Sequence, residues 1–138
     1  MFTLVPDVAW GSSDGNGGTA GPLKTANTAV DGTGTVLTVF TAGANGSYVT
    51  KLIARSAGTN VLSVLRVFIN NGSANSTIAN NILTSEVTLP ASTVSQTGAL
   101  LPVELPLGFA LPAGFKINVT VGTTIAAGVW VSVQGGDY

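Results

Sequence analysis

Six carboxylates, Asp7, Asp14, Asp31, Glu86, Glu104 and Asp137, are the side chains of this sequence with the clearest capacity for acid or base chemistry, because it contains no His and no Cys. The chain therefore lacks the commonest general base, the commonest metal-ligating side chain and the best thiol nucleophile. Ser-His-Asp and Cys-His catalysis and His-based zinc sites are ruled out. What remains open to the carboxylates is glycoside hydrolysis, which needs two of them facing each other across a cleft at a defined separation. None lies in a recognised motif. Glu86 and Glu104 have a simpler role as solvent-facing strand residues that discourage wrong pairing at sheet edges. The expectation is a protein that is not an enzyme and takes no cofactor or metal.

Other apparent motifs dissolve on inspection. Gly15-Asn16-Gly17-Gly18-Thr19-Ala20 fits the letters of a dinucleotide fingerprint, but no strand leads into it and no amphipathic helix follows. Asp14-Gly15-Asn16-Gly17 has the start of a calcium loop without its later ligands or terminal Glu. N-x-S/T triplets at Asn45, Asn71, Asn75 and Asn118 reflect a composition rich in Asn, Ser and Thr. Trp10, Tyr48, Trp130 and Tyr138 each couple an apolar face to a polar tip and could stack on sugars, although Trp130, within an alternating strand, is expected in the core.

Only 8% of the 138 residues are charged while 45% are hydrophobic, so charges are too few to cover a monomer's surface. Such a chain folds rather than staying disordered, and its apolar surface predicts a homo-oligomer. With a net charge of −1 and scattered basic residues Lys24, Lys51, Arg55, Arg66 and Lys116, no phosphate-neutralising patch forms, and no nucleic acid partner is expected. Every apolar run is broken by Gly, Thr, Ser or Asn well before the length of a membrane span. The N-terminus has no basic n-region, and Pro6 and Asp7 interrupt any apolar h-region, so no signal peptide is expected.

The elements that position these side chains are strands. Residues 11–34 are rich in Gly, Ser and Thr, with little to bury. They are expected as an extended arm or long surface loop, which divides the chain into an N-terminal arm, 1–34, and a β domain, 35–138. Within the arm Val5, Val8 and Trp10 are the candidate partner contacts. From Thr35 onward short runs of Val, Ile, Leu and Thr alternate with turn residues, which places strands at 35–41, 48–56, 61–70, 82–89, 101–107, 115–121 and 129–134. The run 61–70 is apolar on both faces except for Arg66, as in a central strand or one facing a neighbouring subunit. Stretches around Pro90, Pro102, Pro106 and Pro112 belong at edges, corners or crossings, because proline has no ladder donor. Strands at this spacing without helical crossovers predict an all-β, antiparallel β-sandwich, jelly-roll-like.

Three stretches, Val61-Leu62-Ser63-Val64-Leu65-Arg66-Val67-Phe68-Ile69-Asn70, Leu105-Pro106-Leu107-Gly108-Phe109-Ala110-Leu111-Pro112-Ala113-Gly114 and the closing Gly135-Gly136-Asp137-Tyr138, resemble a group of small virion proteins of tailed bacteriophages, used as head decoration or other structural components. The resemblance covers residues 46–138. It implies a decoration or cement protein, commonly a trimer, made in the host cytoplasm and seated on the capsid surface of the virion. Its partners would be the major capsid protein or another virion protein, with no membrane contact. A sugar- or receptor-binding β-sandwich module of a phage tail or bacterial surface protein is the second reading, with exposed aromatics lining a shallow groove. A hydrolase with paired carboxylates is the third.

Overall fold

The computed structural model describes residues 7–8 and 22–138. Among the described residues eight strands follow one another: β1 (Asp7–Val8), β2 (Leu37–Thr41), β3 (Ser47–Ser56), β4 (Ser63–Asn70), β5 (Asn81–Leu89), β6 (Val103–Leu111), β7 (Lys116–Val121) and β8 (Val129–Asp137). A 3-10 turn over Ile78–Asn80 precedes β5. Seven strands coincide with the apolar runs expected from the sequence.

The strands form two sheets, ordered β1-β8-β3-β6 and β2-β7-β4-β5. All strand pairings are antiparallel, and they nest: β4 pairs with β5, β3 with β6, β2 with β7 and β1 with β8. A two-stranded ribbon closed by the β4–β5 connection is thus wrapped into two layers, which is the jelly roll. β4 lies between β5 and β7, a central place that suits its two apolar faces. Pro106 lies in β6, an edge strand, where a missing ladder donor is tolerated.

Period-two alternation builds the core. Leu52 and Ala54 of β3, Val131 and Val133 of β8, Leu65 and Val67 of β4, and Ile117, Val119 and Val121 of β7 all point between the sheets and are buried. In β8 the inward glycine Gly135 opposes Val49, where a Cβ would come 2.5 Å from the Tyr48 carbonyl oxygen. The two backbones approach there more closely than a side chain permits. At the β2–β3 turn Gly46 adopts φ 84, so Asn45-Gly46 bends the chain as its composition suggests.

The segment 22–34, expected as part of an arm, is packed on the sandwich. Leu23 is 3% exposed and exchanges backbone hydrogen bonds of 2.9 and 3.0 Å with Val129. Asn27 N donates to Val121 O at 2.8 Å. Asp7–Val8 likewise adds to β8, opposite Gly135 and Gln134. Backbone pairing thus ties residues on the N-terminal side of Thr35 to β7 and β8.

Candidate functional site

Among the described residues the carboxylates Asp31, Glu86, Glu104 and Asp137 do not converge. Glu86 stands on the outer face of edge strand β5, where Arg66 Nε donates to its Oε1 at 2.8 Å. Glu104 stands on the outer face of edge strand β6 in the other sheet, 3.5 Å from Lys51 Nζ. The two therefore point away from each other on opposite faces of the sandwich. Asp31 accepts hydrogen bonds from Thr33 Oγ1 at 2.6 Å and Thr33 N at 3.0 Å. The hydroxyl bond above all, then the amide, holds its pKa below the ordinary 3.8. Asp137 accepts from the buried Ser47 hydroxyl, and Gly43 N donates to both side chains, which ties the β2–β3 turn to the end of β8. Among the described residues no cluster of three His, Cys, Asp or Glu side chains could hold a metal ion.

Several residues singled out by the sequence fall elsewhere. Val5, Trp10, Asp14 and the Gly15–Ala20 stretch lie outside the described residues, and Val8 falls in β1, opposite Gln134. The Asn residues of the N-x-S/T triplets mostly hold the fold. Asn118 is buried and accepts from Thr38 Oγ1 at 2.7 Å, while Asn71 Nδ2 donates to Asn80 Oδ1 at 3.0 Å.

The two outer faces of the sandwich differ. Over the β2-β7-β4-β5 sheet the β4–β5 loop meets the segment before β2, where Asn75 Nδ2 donates to Gly32 O at 3.0 Å and Gly34 O at 2.8 Å. Asn81 Nδ2 adds a bond of 3.2 Å to Asp31 O. On this face Phe68, Asn118 and Thr120 point away from the core yet are buried.

On the opposite face, Arg55 of β3 stands directly across from Trp130 of β8, and Ile53 from Ser132. With Val131 they line a shallow depression of about 320 Å³, mostly apolar. Trp130, expected in the core, is 38% exposed. The alternation that turns Val129, Val131 and Val133 inward necessarily turns Trp130 outward. Among the described residues the ion pairs are Lys51–Glu104 and Arg66–Glu86, so Arg55 keeps its charge without an acidic partner there.

A third feature lies at the end of the sandwich formed by the β3–β4, β5–β6 and β7–β8 loops. Asn60 Nδ2 donates to Gly128 O at 2.7 Å, and its Oδ1 accepts from Ala127 N at 2.9 Å and Gly128 N at 3.1 Å. Its backbone pairs with Ser92 in both directions. These bonds stitch the three loops together, and around them Val61, Leu62, Val94 and Leu101 are 55–84% exposed.

No protein-family model matches the chain, and no curated protein matches it.

Proposed function

We propose that this chain is a non-enzymatic structural protein of a virus particle, of the head decoration or cement type, which stabilises the head lattice through protein–protein contacts. The observation behind this reading is the set of exposed apolar side chains on the loops of the stitched end, Leu101 at 84% exposure with Val61, Leu62 and Val94 at 55–60%. Large apolar side chains grouped on a surface with few charges are characteristic of an interface. The Asn60 network supports the same reading, because loops already fixed by hydrogen bonds lose little entropy on docking. Jelly rolls recur in viral capsid domains, which is consistent with this role without requiring it. The proposed form is a homotrimer at the capsid surface, with the major capsid protein or another virion protein as partner, as the resemblance to decoration proteins implies.

Native mass spectrometry and light scattering at micromolar concentration test this reading. A trimer that dissociates in a Leu62→Asp/Leu101→Asp variant of unchanged circular dichroism supports it. A sharp wild-type monomer that also fails to co-sediment with particles overturns it. A second reading, a sugar- or receptor-binding module, is favoured by the exposed Trp130 beside Arg55.

A further inference from the structure

We propose that the depression between Trp130 and Arg55 is a binding site for an acidic sugar, a pyranose ring bearing a carboxylate. Sugar rings present an apolar face of C–H groups, and an exposed indole offers a flat surface to cover it. Trp130 supplies that surface from the first residues of β8, where it is paired with β3, so the ring is held by a sheet rather than by a loop.

Charge decides which sugar. The neighbouring Lys51 and Glu104 are paired at 3.5 Å, leaving Arg55 as the uncompensated charge of this patch among the described residues. A guanidinium next to an indole suits a ligand that stacks and also carries a carboxylate, which it grips through two parallel N–H···O bonds. Register fixes the two groups side by side, since Arg55 and Trp130 are direct cross-strand partners. Ile53 and Ser132, the adjacent pair on the same face, add an apolar wall and a hydroxyl. The volume, about 320 Å³, lies at the small end of ligand pockets and suits one or two rings rather than a folded domain. Arg55 and Trp130 stand near the ends of β3 and β8, next to the loops that carry the exposed apolar side chains proposed for assembly, but on the outer face of the β1-β8-β3-β6 sheet. Different variants separate the two proposals: Leu62→Asp/Leu101→Asp tests assembly, and Arg55→Gln with Trp130→Ala tests sugar binding.

The experiment is a titration of the full chain at constant ionic strength, followed by the amide resonances of Ile53 and Ser132 and the indole N–H of Trp130. The probes are methyl β-glucuronide, methyl β-glucoside, acetate and a short acidic peptide. Glucuronide is expected to produce saturable shifts confined to these residues, with the glucoside at least about tenfold weaker, the loss expected for one charge-assisted contact. Arg55→Gln should abolish the difference between the two sugars, and Trp130→Ala should abolish binding of both while leaving the sandwich folded. Equal affinity for the two sugars, an unchanged preference in Arg55→Gln, no saturable response to glucuronide, or tighter binding of the acidic peptide would each overturn the proposal.

Discussion

Arg66 and Glu86 face each other across β4 and β5, and their 2.8 Å contact is the tighter of the two ion pairs among the described residues. The Arg66 side chain is only 16% exposed, and its Nη1 is buried without a hydrogen-bond partner. The arginine that interrupts an apolar strand thus depends on a single carboxylate.

Replacing that carboxylate should be costly, because it strands a mostly buried guanidinium. Glu86→Gln is expected to lower stability by about 1–2 kcal/mol in urea denaturation, whereas Glu104→Gln, which breaks an exposed pair on the other sheet, should change it by less than about 0.5 kcal/mol. Equal effects would show that exposure does not separate the two pairs.

Asn60 makes three side-chain hydrogen bonds while 7% exposed. Asn60→Ala leaves two amide donors and one carbonyl of the β7–β8 loop without these partners, so a loss of about 2–3 kcal/mol is expected from thermal or denaturant unfolding. Amide exchange of Ala127 and Gly128 should quicken in the same variant, since these are the donors it releases.

Leu23→Ala tests whether the segment before Thr35 belongs to the fold. A leucine 3% exposed in the core should cost about 2–4 kcal/mol on truncation, whereas one on a detached arm would cost almost nothing. Chemical denaturation of the variant distinguishes these outcomes.

Asp31 supplies a pH dependence whose sign is fixed. Its folded pKa lies below the ordinary 3.8 because Thr33 donates to the ionised carboxylate. The resulting stabilisation is fully present above the ordinary value and is lost as pH falls through the folded one. Asp31→Asn should therefore make unfolding less sensitive to acid below about pH 4, with little change in pH dependence near neutrality. An unchanged acid limb in a series of melts would rule this out.

Strands were legible in the sequence because alternation and turn chemistry agree along 35–138. The end of β6 was not: the expected run stops at 107, yet the edge strand continues through Gly108 to Leu111, with Phe109 opposite Val49. Leu23 was hidden because one apolar residue in a Gly- and Thr-rich stretch forms no periodic pattern, and its burial depends on bridging to Val129. Trp130 shows a subtler limit. Alternation revealed that β8 has two faces, but Trp130 could be placed only once its valine neighbours were known to point inward. The depression it shares with Arg55 depends on the register between β3 and β8, two strands far apart in the chain. No local pattern encodes that pairing.

The nesting of the strand pairs also bears on how the protein is made. β7 and β8, made after the other strands of the sandwich, occupy interior positions in their sheets, β7 between β2 and β4 and β8 between β1 and β3. A nascent chain that has reached β6 can close β4 on β5 and β3 on β6, but neither sheet is complete and the remaining edges of β3 and β4 stay open. The native sandwich therefore cannot close before β7 and β8 have been made, and partly made chains present the open strand edges through which β proteins mispair.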